Sequence, residues 1–227
     1  MAWNNLRNTM FKVYFAGALF DHKELIGNAL LASHIEQRSE GLYQCIVPQD
    51  LEQTTGRAVD IRNQDLKQVM ECDLALFNFD GTELDSGTVV EFMFAKFLDI
   101  PSVILRSDFR SSGDQDKNGD DWNLMCSFYP RTLKVQFNAM AFYQQAIKES
   151  HSLNEAMERL YSKIASLLIE GLDSVRSIPP LPKGDQTQLE ALYQWALKFP
   201  GNGLEKLCSQ PAFVEELVAA KIKKGLI

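Results

Sequence analysis

Short apolar runs rich in β-branched and aromatic residues alternate along this chain with longer stretches of helical spacing. That alternation restricts the fold to a parallel sheet wrapped by helices, because parallel neighbours need a crossover between them. Strands are predicted over residues 12–16, 43–47, 74–79, 102–105 and 133–137, with Pro48 closing the second and Pro101 opening the fourth. Helices are predicted over 23–37, 60–71 and 152–171, and a helical pattern spans 92–98. Five strands joined by such crossovers imply a flavodoxin-like doubly wound α/β sheet with helices on both faces. Residues 107–121 are rich in Ser, Gly, Asp and Asn, a composition for a mobile surface loop.

The segment Pro179-Pro180-Leu181-Pro182-Lys183-Gly184 reads as a linker, since three prolines in four positions fix an extended backbone. The expected organisation is an N-terminal extension over 1–10, a catalytic domain over 11–175, a linker over 176–184 and a helical extension over 185–227. The extension carries two amphipathic patterns, 188–198 and 212–224, suited to pack on the domain or on a second subunit.

Composition narrows the function. A formal charge of −7 and a pI near 5.1 give no attraction for nucleic acid or an anionic membrane surface. The apolar runs are too short to span a bilayer and the first residues lack a signal-peptide core. Cys45, Cys72, Cys126 and Cys208 are far apart and form no CxxC pair, as expected of reduced thiols in the cytoplasm. No P-loop, GxGxxG, GxSxG or His/Cys metal cluster is present, so no metal and no cofactor is expected.

Acids remain as the candidate chemistry. The apolar run 74–79 ends in a polar loop, and Asp85-Ser86-Gly87-Thr88-Val89-Val90-Glu91 leads into a helix. A strand–loop–helix passage of this kind sits at the carboxyl edge of the sheet, where open α/β folds bind ligands. Glu91 lies in an otherwise apolar series and is expected to point away from bulk water. One turn into its helix, it would feel the positive end of the helix dipole, which favours the ionised form. Asp85 and Ser86 also read as a helix N-cap. Asp73 and Asp80 read as strand-flanking residues with no catalytic part. A pair of acids with a tyrosine nearby suits chemistry at an anomeric carbon.

Several segments together resemble the nucleoside 2-deoxyribosyltransferases. They are residues 12–20 (KVYFAGALF), Asp60-Ile61-Arg62, Asp73-Leu74-Ala75, residues 85–91 (DSGTVVE) and Trp122-Asn123-Leu124-Met125, in family order from Phe11 to Phe137. The resemblance implies Glu91 as the nucleophile at C1′ of a 2′-deoxynucleoside, Tyr14 as the residue orienting it and Asp85 as the acid binding the sugar hydroxyls. It implies Asp65 as the acid exchanging a proton with the base. Glu52 falls where relatives contact the base, an alignment that can slip to Gln53. Gly17 and Phe20 belong to the loop over the base. Asn123 and Met125 resemble residues contributed across a subunit interface, so a homo-oligomer is implied.

Two departures stand out. Gly17 is followed by Ala18 and Leu19, where the family usually shows glycine or glycine-proline, and Phe92 and Met93 follow Glu91, where relatives often carry glycine. The chain beyond about residue 173 has no counterpart in short members.

The implied activity is exchange of the nucleobase of 2′-deoxynucleosides against free nucleobases through a covalent deoxyribosyl-glutamate, with weak hydrolysis beside it. Two other readings compete with it. A 2′-deoxynucleoside 5′-monophosphate N-glycosidase would need phosphate donors that Gly17-Ala18-Leu19-Phe20 lacks. A non-catalytic nucleotide-sensing module would have no need of Glu91.

Overall fold

The computed structural model describes residues 10–51, 57–116, 118–182 and 185–227. Glu52 and Gln53, most of the N-terminal extension, and Lys183 and Gly184 of the linker lie outside the described residues.

Five parallel strands form one sheet: β1 (Phe11–Ala16), β2 (Tyr43–Ile46), β3 (Leu74–Asn78), β4 (Ser102–Arg106) and β5 (Thr132–Gln136), in the order β2-β1-β3-β4-β5. This is the flavodoxin-like order, with the crossovers changing sides between β1 and β3. Register pairs Tyr14 with Ile46 on one side and with Ala75 on the other. Alternation along the strands sorts the side chains into two cores. Phe11, Val13, Phe15, Leu74, Leu76, Val103 and Leu105 face α1 (His22–Arg38) and α5 (Leu153–Arg176). Tyr14, Ala16, Ala75, Phe77 and Ile104 face α2 (Ala58–Glu71) and α3 (Ser86–Phe97). Strands buried on both faces read as continuous apolar runs for this reason.

The elements start and stop on local chemistry. Asp21 and Glu24 build a capping box at the head of α1, and Asp85 caps α3 by accepting from the backbone of Thr88. The helix after β3 therefore begins at Ser86, ahead of the predicted pattern at 92–98. Helix α5 runs on past the predicted end at Gly171 to Arg176. Gly171 lies mid-helix because a Cβ there would stand 3.1 Å from Val135 Cγ2 and 3.5 Å from Val103, so its absence lets the helix settle onto the sheet.

A further helix, α4 (Ala139–Lys148), was not expected from the sequence. It is capped by Asn138 and leans on α5, with Phe142 stacked on Phe137 at 4.5 Å.

The C-terminal segment packs on the α2/α3 side. Helices α6 (Gln186–Lys198), α7 (Leu204–Leu207) and α8 (Phe213–Lys223) send Leu189, Tyr193, Leu204, Val214 and Val218 into the same core that holds Tyr14 and Phe92. These helices pack on their own domain. All four cysteines are free. Among the described residues, no helix is long and apolar enough to cross a membrane.

Candidate active site

Tyr14 reaches the site from the middle of the sheet. Its even position in β1 turns it toward α2 and α3, and its side chain is fully buried. Glu91 reaches it from α3, where Thr88, Glu91, Phe92 and Ala95 share the i, i+3, i+4, i+7 stripe that faces the sheet. The three neighbours are buried apolar or capped positions, which forces the carboxylate inward with them. There the Tyr14 hydroxyl donates to Glu91 Oε1 at 2.6 Å. The short contact is that of a charge-assisted hydrogen bond.

Phe92 packs beneath the site, edge-on to Phe77 at 5.2 Å and to Phe79 at 5.4 Å. Met93, the next residue along α3, turns outward and is 38% exposed.

Asp65, on α2, completes the acidic floor. One of its oxygens, Oδ1, is buried without a hydrogen-bond partner. Burial pushes its carboxyl up to about 6. Burial likewise pushes Glu91 up to about 7; the Tyr14 hydrogen bond opposes this, while the nearby charges of Asp65 and Asp85 add to it. The expected dipole-favoured, depressed carboxylate is therefore corrected: desolvation outweighs the helix end at the sixth residue of α3. Tyr14 is raised well above its ordinary value by burial and by the two acids, and stays a donor.

With Glu91 and Asp65 this close in titration range, the pair carries about one proton between pH 6 and 7. That proton rests mainly on Glu91, which is pushed higher than Asp65 even though the Tyr14 hydrogen bond opposes it. Two half-buried carboxyls that share one proton can supply between them a nucleophile and a proton donor for a displacement in which a leaving group must be protonated.

The two acids open onto a cavity of about 470 Å³ at the carboxyl ends of β1 and β2, lined by Gly17, Phe20, Ile61, Asp65, Asp85 and Glu91 among others. Its size suits a nucleoside-sized ligand. Phe20 stands at the rim, 80% exposed. Asp85 Oδ2 accepts from the backbone and hydroxyl of Thr88 at 2.7 and 2.9 Å, so capping fixes the carboxylate at the mouth. Asp85 also lines a second, larger cavity of about 530 Å³ between α1, α5 and the ends of β3 and β4, with Lys23, Asn78, Asp80 and Glu83. The acidic pair lies in the smaller cavity.

The loops around this edge are cross-stitched. Asp80 accepts from the backbone of Ser107 and Asp108 at 2.5 and 2.8 Å, and the buried Arg106 donates to the carbonyls of Phe79 and Gly81. That matches the reading of Asp80 as a structural residue.

Asn123 and Met125 are not brought to this cavity. Asn123 caps a 3₁₀ turn, Leu124–Cys126, by accepting from Met125 N at 2.9 Å, and Met125 is 68% exposed. Buried Trp122 beside them anchors the segment edge-on to Phe79 at 5.5 Å. Glu52 lies outside the described residues.

Sequence reasoning did not select Gln49 and Thr88, which also line the cavity. Gln49 Nε2 donates to the Leu25 carbonyl at 2.8 Å. Its position directly after the Pro48 that ends β2 was the available signal.

Fold and site together define a flavodoxin-like α/β protein with a tyrosine-held carboxylate at the carboxyl edge of its sheet. Residues 13–125 match the model of the family described as nucleoside 2-deoxyribosyltransferase. No curated protein matches the chain. Solved structures that resemble it include a conserved protein from Enterococcus faecalis V583, 21% identical, covering 73% of this chain and 99% of that one, with a TM-score of 0.46. A 2-desoxiribosyltransferase from Leishmania mexicana is 19% identical, with coverage of 63% and 99% and a TM-score of 0.44. The CMP N-glycosidase BcmB from Clostridium botulinum is 14% identical, with coverage of 61% and 99% and a TM-score of 0.38.

Proposed function

We propose that the protein transfers 2-deoxyribosyl groups between nucleobases, with Glu91 as the nucleophile. The observation that carries this reading is the 2.6 Å hydrogen bond from Tyr14 to a half-buried Glu91 at the floor of a nucleoside-sized cavity. In the first step a Glu91 oxygen bonds to C1′, the C1′–N bond breaks with its electron pair going to the base, and the base takes the proton from Asp65. In the second, a nitrogen of the incoming base attacks C1′, its proton passes to Asp65, and the C1′–O bond returns its electrons to Glu91. Two inversions give net retention. Asp85, fixed by Thr88, accepts from sugar hydroxyls at the mouth. Gly17 and Phe20 bound the space for the base. The chain's own residues supply each step of this scheme.

The same site with water in place of the second base describes the N-glycosidase reading. A 5′-phosphate would extend from the sugar past Asp85 toward the second cavity, whose lining carries Glu24, Asp80, Glu83 and Asp85 against the single cation Lys23. That balance favours an uncharged 5′-hydroxyl. Asn123 and Met125, exposed and away from their own cavity, are suited to complete the site of a neighbouring subunit in a homo-oligomer.

The test is to incubate the protein with deoxyinosine and adenine, and separately with thymidine and adenine, and to separate the products by chromatography. Deoxyadenosine in either tube, absent with Glu91→Ala, supports transfer. Free base without a new nucleoside would replace the transferase reading by hydrolysis, and activity on a monophosphate alone would move the substrate to the nucleotide.

A further inference from the structure

The C-terminal segment lies outside the family match, yet it touches the two helices that carry the acids. Helix α6 ends at Lys198, and the turn that follows has three successive residues with positive φ: Gly201 at 62°, Asn202 at 54° and Gly203 at 100°. Asn202 is an L-residue held in the left-handed region, a conformation that persists where the surroundings enforce it. The turn points carbonyls at α2. Asn63 Nδ2 donates to the Asn202 carbonyl at 3.0 Å and Arg62 Nη2 donates to the Gly201 carbonyl at 3.1 Å. Arg62 also donates to Asn63 Oδ1 at 2.7 Å, so the buried amide is held at both ends. Asn63 is 3% exposed and stands two residues before Asp65.

The same turn reaches α3. Phe199 lies 5.8 Å from Phe94 and 5.9 Å from Phe97, ring centre to ring centre. Phe94 is one turn along α3 from Glu91. A single five-residue segment therefore contacts α2 through two hydrogen bonds and α3 through two aromatic contacts. Its grip falls within one helical turn of each acid.

We propose that segment 199–203 is a clamp that fixes the spacing of α2 and α3, and through it the placement of Asp65 against Glu91, with Asn63 as its positioning residue. The kinetic part of this proposal rests on the transferase reading; the structural part does not. Without the clamp, α2 is free to move against α3 at the point where the catalytic acid and the nucleophile must share one substrate. Displacements of about 1 Å at such a site lower rates by up to about a hundredfold.

The experiment compares Asn63→Ala with Val218→Ala, which trims the same core from α8 and removes none of the turn's contacts to α2 and α3 named above. Carboxyl carbons of Asp65 and Glu91 are followed by NMR through a pH titration, with no substrate present, and kcat and KM for base exchange are measured at a temperature where both variants are folded. Expected for Asn63→Ala are titrations of both acids moved toward ordinary carboxylate values as water enters between the helices. A roughly tenfold lower kcat at nearly unchanged KM should accompany them. Val218→Ala is expected to lose stability with titration and kcat intact.

A wild-type titration in Asn63→Ala, or the same changes in Val218→Ala, overturns the clamp. Should Asn63→Ala not fold, Phe199→Leu loosens the α3 side of the same grip and is read by the same titration and the same criteria. A wild-type protein with no turnover would remove the transferase reading and leave the titration to decide the clamp.

Discussion

The two edges of the sheet both bury charge, and they treat it in opposite ways. At the amino edge each charge meets a partner. Asp73 accepts from Lys224 at 2.6 Å and from the backbone of Lys12 at 2.9 Å. Asp99 pairs with Arg131 at 2.6 Å, Arg131 also donates to the Leu226 carbonyl at 2.8 Å, and Lys221 donates to the Cys72 carbonyl. Helix α8 and the last residues are tied to the domain by these contacts. At the carboxyl edge, Asp65 and Glu91 are half-buried, neither forms an ion pair among the described residues, and both are pushed upward. Paired burial holds a fold together. Unpaired burial leaves a group reactive, and it is tolerated where the reactivity is used.

The contrast can be broken from either side. The largest expected effect is on turnover: Glu91→Ala should lower base exchange by about four orders of magnitude, measured as product formed per enzyme. A loss of less than tenfold would remove Glu91 from the chemistry. Next, Asp99→Ala leaves Arg131 buried without its carboxylate and should destabilise the fold by about 3–5 kcal/mol in denaturant titration. A change below about 1 kcal/mol would mean that the amino-edge network does not hold the C-terminal helices.

The opposite sign is expected at the other edge. Glu91 titrates near 7 folded against an ordinary 4.5, so the folded protein holds a proton there that the unfolded chain releases. Its stability contribution is fully present below about 4.5, declines as pH rises to about 7 and stays lost above that, by up to about 3 kcal/mol. Glu91→Gln should therefore be more stable than the wild type at pH 8 and equal to it near pH 4, as read by thermal melting. Equal melting at both would show that the buried carboxylate is not strained.

The smallest effect sharpens the site itself. Because the pair must hold one proton, wild-type kcat/KM should follow a bell with limbs near 6 and 7. Tyr14→Phe removes the donor that favours ionised Glu91, so the limb assigned to Glu91 should move upward and the rate fall about 10- to 100-fold. An unmoved profile would make Tyr14 a packing residue.

The sheet was legible because buried parallel strands leave apolar runs, and the ends at Pro48, Pro101 and the Asp85 cap are local chemistry. Tyr14, Asp65, Asp85 and Glu91 were singled out through the family resemblance; Asp65, Asp85 and Glu91 line one cavity, and Tyr14 donates to Glu91. The direction of the Glu91 shift was not, since desolvation depends on α2, β1 and α3 meeting, which no local window contains. Helix α4 was missed because Met140, Tyr143 and Ile147 form an outward stripe, 40–48% exposed, with Ala146 its one buried residue among those described. The hold of the C-terminal helices was hidden for a similar reason: the acceptors of Lys221 and Lys224 lie about 150 residues earlier, outside any local window.

The most direct test of the account is to mix the protein with a 2′-deoxy-2′-fluoronucleoside, whose fluorine slows the second step, quench with acid and map the peptides by mass spectrometry. The account predicts one fluorodeoxyribosyl group on the peptide containing Glu91, lost again when a free base is added before the quench. Release of base with that peptide unmodified would contradict it and make direct attack by water the chemistry of this site.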